Sequence, residues 1–370
     1  MINPEQPAGF AKRLTALQRE ELGGVLGITV DPIGKWDDFT IIAGSSLFGV
    51  TLLMLIYAWL NNSYAPIRAK NVRVTTLMYI GAVMWFVGDI ATNGHVELVG
   101  AWAICKLWCV WIRVCFAYTF SAAAALRIYA LYRVFILHRP YSGFSSYLPI
   151  LIIFGCLLVF CVVSQVVSDS VTVMYVEEYE VCTYVWAFRG ACLGLLWMIW
   201  LLVLFFVVKI RNIHSSFNER YESFLICLLA FTAVTNTTLL HTIRPNYPLE
   251  LRYRLANTWI DILVSNFCVW VVILYPCYQS VFHREAYLQT WTTKLKTDGL
   301  RKEYNMSPQH GSTVQGYSMM GSDSENKQII SSTMRWAAAN GASADDAAVM
   351  PDHIQLSEYP SQPYDSRRII

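Results

Sequence analysis

The chain has 370 residues, of which 55% are hydrophobic and only 15% are charged, and its mean hydropathy is +0.39. Soluble domains usually have about 45–50% apolar and about 25% charged residues, so this composition excludes an ordinary soluble domain and indicates a multi-span membrane protein. The formal net charge of +2 is too small for a nucleic-acid-binding surface, and no nucleic-acid partner is expected.

The apolar stretches predict an all-α bundle of seven transmembrane helices over residues 39–282. A spanning helix needs about 20 mostly apolar residues. Seven stretches qualify, near 39–60, 73–93, 101–133, 147–167, 187–208, 223–243 and 256–282. The weakest are the third, which contains Lys106 and Arg113, and the sixth, which contains several Thr. The alternative is that one of these two is a re-entrant or buried segment.

The distribution of Lys and Arg predicts an N-terminus outside and a C-terminus inside, because cytoplasmic loops carry the excess of positive charge. With this orientation, thirteen such residues lie near the inner ends of the spans: Arg68, Lys70, Arg73, Arg133, Arg139, Lys209, Arg211, Arg220, Arg284, Lys294, Lys296, Arg301 and Lys302. Five lie outside: Lys35, Arg189, Arg244, Arg252 and Arg254. The loop with Arg252 and Arg254 fits this rule worst.

The segments flanking the bundle are shorter and more polar. Residues 1–38 are predicted to be a short extracellular segment, in which FAKRLTALQREEL (10–22) forms a short amphipathic helix or part of a poorly ordered tail. Residues 283–300 place Leu288, Trp291 and Leu295 at helical spacing and predict an amphipathic helix on the inner leaflet, where it contacts membrane lipids. Residues 301–370 are expected to be a disordered cytoplasmic tail.

Two of the ten cysteines lie at the outer side of the predicted bundle, and most of the others lie within the spans. Cys105 opens the third span and Cys182 lies in the loop before the fifth. Both face an oxidising compartment in the predicted orientation, so a disulfide between them is expected. The alternating sequence VTVMYVEEYEV before Cys182 predicts a short hairpin in the same loop.

Ionisable residues inside spans are costly and usually face the bundle interior. Asp89, Arg113 and Asp261 lie in the second, third and seventh spans, and we expect them to form one charged network. A small-molecule ligand pocket and a buried structural ion pair are equally compatible with this pattern. The other polar residues that we assign to the candidate pocket are Asn236, His241 and Asn266.

Two short motifs resemble those of class C (family 3) G-protein-coupled receptors. FNERYESF (217–224) at the foot of the sixth span is similar to the FNEAK-type motif of this class, with Phe217 and Asn218 at its start. YPCYQSVF (275–282) resembles the PKxY-type ending of the seventh span. Pro276 and Tyr278 match this ending, and Cys277 replaces the usual Lys.

The same combination, with ALRIYALYR in the third span, is also similar to fungal seven-span receptors related to this class. Cys105 precedes Arg127 by about the spacing that separates the bridged Cys from a basic residue in that family. Val234 stands where a Trp is common. Since the first 38 residues are too few for the large ligand-binding ectodomain and the tail is short and polar, we expect neither that ectodomain nor a regulator-of-G-protein-signalling domain.

The resemblance implies a receptor of the plasma membrane that detects an extracellular signal and activates a heterotrimeric G protein. It places an ion lock between Arg127 and Glu219, with Arg133 and Glu222 as substitutes one or two turns away. At a solvated membrane edge such a pair is worth about 0.5–1 kcal/mol. The alternative for these charges is a solvated loop. Receptors of this class often dimerise, so a homo- or heterodimer is a further expectation.

Other functions remain open on the residues alone. A secondary transporter or channel is the main alternative, although no sequence repeat or pair of broken spans is visible. A seven-span scaffold without G-protein coupling is a third. Residues 256–282 contain no Lys for a retinal Schiff base, and no His/Cys spacing is typical of a metal site, so no cofactor is expected. Since no nucleophile–base pair is visible inside the spans, we expect no enzyme.

Overall fold

Seven apolar helices of 19 to 32 residues dominate the described part of the chain, and each is long enough to cross a bilayer. The structure is a computed structural model that describes residues 15–137, 144, 147–176, 181–210 and 219–297. In chain order, spans one to seven are Lys35–Leu60, Val72–Thr92, Leu107–Val134, Leu148–Val166, Trp186–Ile210, Glu219–Ile243 and Leu251–Phe282. The all-α seven-helix prediction is confirmed, and the chain is a multi-pass membrane protein. The third and sixth stretches, which were the weakest, are both full-length helices.

Smaller elements connect and flank these spans. The helices are α1 (Ala16–Leu26), α2 (Lys35–Leu60), α3 (Ala65–Ala69), α4 (Val72–Thr92), α5 (Cys115–Phe135), α6 (Leu148–Val166), α7 (Trp186–Ile210), α8 (Glu219–Ile243), α9 (Leu251–Phe282) and α10 (Arg284–Thr297). A π-helical stretch, Leu107–Val114, opens span three ahead of α5. Two 3-10 turns lie at Gly100–Ala103 and Tyr247–Leu249. The predicted tail at 301–370 lies outside the described residues.

The predicted hairpin and disulfide are both present. Strand β1 (Val173–Val176) pairs antiparallel with β2 (Val181–Tyr184), with Tyr175 opposite Cys182. Cys182 is bonded to Cys105, with their Cα atoms 5.4 Å apart. The bond ties the hairpin to the start of span three. We call this side of the bundle the disulfide end.

Two span boundaries differ from the prediction because polar residues continue the helices. Span six begins at Glu219, so Glu219 and Glu222 form its first turn instead of a loop. Span seven begins at Leu251, so Arg252 and Arg254 lie within the helix. The side chain of Arg254 is buried, which explains why the charge count in this loop fits the orientation rule poorly: Arg254 is held inside the protein.

Spans two, three and seven form the interior of the bundle. In these three helices 56%, 72% and 61% of the apolar window is buried, against 22–28% in spans one, four and five. Spans one, four and five therefore present most of their surface to lipid. Asp89, Arg113 and Asp261, which lie on these three helices, are buried and face the bundle interior, away from the hydrocarbon, as the cost of membrane charge requires.

Two glycines let spans two and three approach closely. A Cβ atom at Gly88 would lie 2.7 Å from the Cα of Arg113, and one at Gly81 would lie 2.9 Å from the backbone nitrogen of Phe120. Small residues at helix contacts allow backbones to meet in membrane bundles. The contact at Gly88 brings Arg113 next to the residue that follows Gly88 in span two, Asp89.

We predict that Gly88→Ala lowers stability by about 1–3 kcal/mol, the usual cost of overpacking, because backbone atoms must move to admit the methyl group. Thermal unfolding of the purified protein in detergent or lipid discs measures this. The matched control is Gly49→Ala, since a Cβ at Gly49 meets nothing within 4 Å. Equal unfolding temperatures for the two variants would contradict the close approach of spans two and three.

Candidate functional site

Four charged side chains meet at the end of the bundle opposite the disulfide. Lys70 follows α3, Arg127 lies in α5, and Glu219 and Glu222 open α8. The Lys70 Nζ lies 2.6 Å from Glu222 Oε1 and 3.7 Å from Glu219 Oε1. Arg127 Nη2 lies 3.1 Å from Glu222 Oε2, and its Nη1 donates to the Lys70 carbonyl oxygen at 2.6 Å. We call these four residues the basal cluster.

The ion pair of Arg127 differs from the one that the resemblance implies. Its carboxylate partner is Glu222, whereas Glu219 pairs with Lys70. Glu222 lies one helical turn after Glu219, on the same face of α8. One of its carboxylate oxygens contacts Lys70 and the other contacts Arg127. Arg133 lies in the last turn of α5. Phe217 and Asn218 lie outside the described residues.

The basal cluster is buried rather than solvated. The exposed fractions are 8% for the Lys70 side chain, 5% for Arg127, 5% for Glu219 and 12% for Glu222. The two cations balance the two carboxylates. Removing one partner from a buried pair leaves an uncompensated charge and costs about 3–5 kcal/mol, well above the ~0.5–1 kcal/mol of an exposed pair.

Helix α10 lies beside the basal cluster. The Tyr64 hydroxyl donates to the Arg284 carbonyl oxygen at 3.0 Å, and the Tyr287 ring meets Tyr275 edge-to-face at 5.6 Å. Burial raises the pKa of Tyr287, and nearby groups including Glu222 raise it further. Trp291 is also buried, so α10 packs on the bundle through one face. Pro276 is buried within α9, and the exposed Tyr278 ring contacts Phe282 at 4.9 Å.

A second network lies between spans two, three and seven towards the disulfide end. Arg113 Nε lies 2.7 Å from Asp89 Oδ1, and both guanidinium Nη atoms donate to the Tyr247 hydroxyl at 3.2 Å. Tyr247 donates to Asn93 Oδ1 at 2.7 Å. Asp261 lies within hydrogen-bonding reach of Asp89. The structure therefore brings together the three ionisable residues that the sequence predicts as one network.

The other predicted pocket residues separate into two groups. His241 Nε2 lies 3.4 Å from the Tyr247 hydroxyl, and Asn236 donates to Asn257, whose amide is 3.5 Å from Asp261 Oδ2. These residues belong to the network. Asn266 does not, because it accepts from Thr51 at 2.6 Å and donates to the Ile262 carbonyl oxygen, which joins span seven to span one.

A cavity of about 70 Å³ opens beside this network. Its wall is mostly apolar and aromatic, with Trp85, Tyr118 and Val234, and Arg113, His241 and Asp261 contribute polar groups. Asp89 does not line the cavity but pairs with Arg113, which does. At about 30 Å³ per liquid water molecule, the cavity has room for about two waters or a small polar head group.

Tyr247 lies at the centre of this network, a position that no pattern in the sequence predicts. It lies in the 3-10 turn before span seven and is 1% exposed. Burial raises the pKa of Tyr247, and the neighbouring Arg113 guanidinium opposes that rise. The hydroxyl therefore stays protonated at neutral pH and donates to Asn93. A tyrosine in a short polar loop carries no periodic signal that would have revealed this role.

A third buried group, also missed from the sequence, closes the disulfide end. Arg254 donates to both oxygens of Asp37, at 2.9 Å to Oδ1 and 2.7 Å to Oδ2. Asp37 Oδ1 also lies 2.8 Å from His95 Nδ1. The remaining Arg254 hydrogens go to the carbonyl oxygens of Asp31, Pro32 and Pro248. The group fixes the start of span one against span seven.

No protein-family model matches the sequence, and no curated protein is significantly similar to it. The resemblance to class C receptors therefore rests on the residues and motifs quoted above and remains a prediction. The structure by itself is that of a seven-span membrane protein. It has a buried ion cluster at one end and a charged network beside a cavity nearer the other end.

We predict that Asp37→Asn lowers the free energy of unfolding by about 3–5 kcal/mol, because the substitution leaves the buried Arg254 charge without a counter-ion. Thermal unfolding of the full chain in lipid discs gives the measurement. Asp38→Asn is the matched control, since Asp38 is the exposed neighbour in the same helical turn. A fall of the same size in both variants would contradict the buried ion pair.

Proposed function

We propose that the chain is a G-protein-coupled receptor, similar to class C (family 3) receptors and related fungal seven-span receptors, that senses an extracellular signal and activates a heterotrimeric G protein. The basal cluster carries the proposal. It joins the loop between spans one and two, span three and span six through buried ion pairs. FNERYESF and YPCYQSVF, which lie at the cytoplasmic face in the proposed orientation, support the same function.

The cluster is suited to hold the receptor inactive because one side chain bridges two cations. Glu222 contacts Lys70 and Arg127 at once, so span six cannot move away from span three without breaking both pairs. Buried pairs of this kind have two discrete states, made or broken, and transitions between such states drive receptor switching. Opening would expose the inner ends of spans three and six to the G protein.

The signal would enter at the other end of the same helices. The cavity beside Arg113, His241 and Asp261 is the proposed ligand site, with a small molecule as its occupant. Span three carries Arg113 and Arg127, which are about 21 Å apart along a helix that rises 1.5 Å per residue. A change at the cavity can therefore reach the basal cluster through one rigid element. The same proposal includes location in the plasma membrane, a dimeric state and contact of α10 with lipid.

A secondary transporter or channel is the second candidate, and the buried Asp89–Arg113–Asp261 network favours it. Buried charges within spans often mark ion or substrate pathways. Flux of ions or small solutes into liposomes that contain the protein distinguishes this candidate from a receptor, because a receptor catalyses no flux.

We predict that Glu222→Gln raises ligand-free nucleotide exchange on the cognate Gα subunit by about tenfold. The substitution removes the charge that bridges Lys70 and Arg127, and a shift of about 1.4 kcal/mol towards the open state suffices for that factor. The measurement uses the full chain in lipid discs with the Gα subunits of its own host. Glu219→Gln, which breaks only the 3.7 Å contact to Lys70, is expected to give a smaller increase.

The control is Glu285→Gln, because Glu285 is exposed in the first turn of α10 and has the same chemistry. It is expected to match the wild type. If no folded variant changes nucleotide exchange on any Gα subunit, whether or not candidate ligands are added, the receptor proposal fails. Solute flux in the liposome assay would then favour the transporter, and its absence would favour a scaffold.

A further inference from the structure

Asp89 and Asp261 come from spans two and seven and meet inside the bundle. They are 1% and 3% exposed and lie within hydrogen-bonding reach of each other. A single guanidinium, that of Arg113, contacts the pair, with Nε 2.7 Å from Asp89 Oδ1. The two Nη atoms of Arg113 are already engaged by Tyr247.

The charges of this group do not balance if both carboxyl groups are ionised. Two carboxylates and one guanidinium leave one net negative charge, and like charges at this distance in a buried site resist joint ionisation. The other buried arginines nearby are used elsewhere. Arg189 donates to the carbonyl oxygens of His241 and Tyr184, and Arg254 is paired with Asp37.

Three buried oxygens of the pair accept no hydrogen bond from any described residue: both carboxyl oxygens of Asp89 and Oδ1 of Asp261. Of these, Asp89 Oδ1 is the one that faces the Arg113 Nε, at 2.7 Å. A buried acceptor without a donor costs about 1–3 kcal/mol. A protonated carboxyl group is a donor, so one proton placed between these carboxyl groups removes the excess charge and supplies the missing hydrogen bond.

We propose that Asp89 and Asp261 form a proton-binding site, in which one shared proton links span two to span seven. The wall beside Asp261 favours a proton over a metal ion, because Trp85, Val114 and Val234 supply none of the six or so oxygen ligands that hard cations require. The site involves no residue of the basal cluster and does not depend on G-protein coupling. The titratable and charged groups that surround the pair on neighbouring elements are His95, Arg113, Tyr184, Arg189, His241 and Tyr247.

The test compares the wild type with Asp261→Asn, since the amide donates a hydrogen bond to Asp89 as a protonated carboxyl group does but cannot ionise. In the unfolded chain both carboxyl groups are ionised above about pH 5. Wild-type folding must then take up a proton, so its stability falls as the pH rises. Relative to the variant, the wild-type folding constant is expected to fall by up to about tenfold per pH unit between about pH 5 and 8.

Thermal unfolding of the full chain in lipid discs measures this difference in stability. The contributions of the surrounding histidines to stability cancel in the comparison, because both proteins contain them. Asp38→Asn, at an exposed carboxylate, is expected to follow the wild type at every pH. If the difference in stability between the wild type and Asp261→Asn stays constant from about pH 5 to 8, the proposal is overturned.

Infrared spectroscopy gives a second measurement that does not depend on unfolding. The carbonyl stretch of a protonated carboxyl group is expected at neutral pH in the wild type and in Asp38→Asn, and its loss is expected in Asp261→Asn. If Asp261→Asn does not fold, Asp89→Asn serves instead, because it also removes one partner of the shared proton. Two outcomes would overturn the proposal: a spectrum unchanged by either substitution, or a band that disappears when sodium chloride is added at constant pH.

Discussion

Buried charges in this bundle are held mainly by opposite charges on other helices, because water is excluded from the interior and an unpaired ion there is costly. This constraint fixes which helices adjoin. Asp37 pairs with Arg254 across 217 residues of sequence and binds span one to span seven. Arg127 pairs with Glu222 across 95 residues and binds span three to span six. Asp89 and Arg113 join spans two and three, where Gly88 permits close approach. The apolar surfaces place the helices in lipid, and the ion pairs define their neighbours.

The two ends of the bundle meet these demands differently. At the basal end the two cations, Lys70 and Arg127, balance the two carboxylates, Glu219 and Glu222, so the closed arrangement is neutral. Nearer the disulfide end, Arg113 faces two carboxyl groups beside a cavity, so that network is open to a proton or a ligand. Span three carries both arginines. It begins with the π-helical stretch Leu107–Val114, a feature often found at functional sites, which contains Arg113.

Much of the fold was predictable because its determinants are local. Spans follow from apolar length, the hairpin from alternation in VTVMYVEEYEV, and the disulfide from two cysteines placed on one side of the membrane. The pairing of Arg127 with Glu222 was not predictable, because Glu219 and Glu222 lie on one helical face and only the tertiary geometry selects between them. The sequence likewise does not distinguish Lys70 from the other positive residues predicted near the inner surface. Tyr247 and Arg254 were missed because a partner more than a hundred residues away leaves no local pattern.

In the proposed receptor, the basal cluster holds spans three and six together as a two-state switch. The most direct test is a distance measurement between spin labels at Leu137 and Arg220, which are exposed near the ends of α5 and α8. We expect one narrow distance distribution for the wild-type bundle in lipid discs. In Glu222→Gln, where the bridge is lost, we expect a second, longer population. The same single distribution in both proteins, with both correctly folded, would show that the cluster stabilises the fold without acting as a switch.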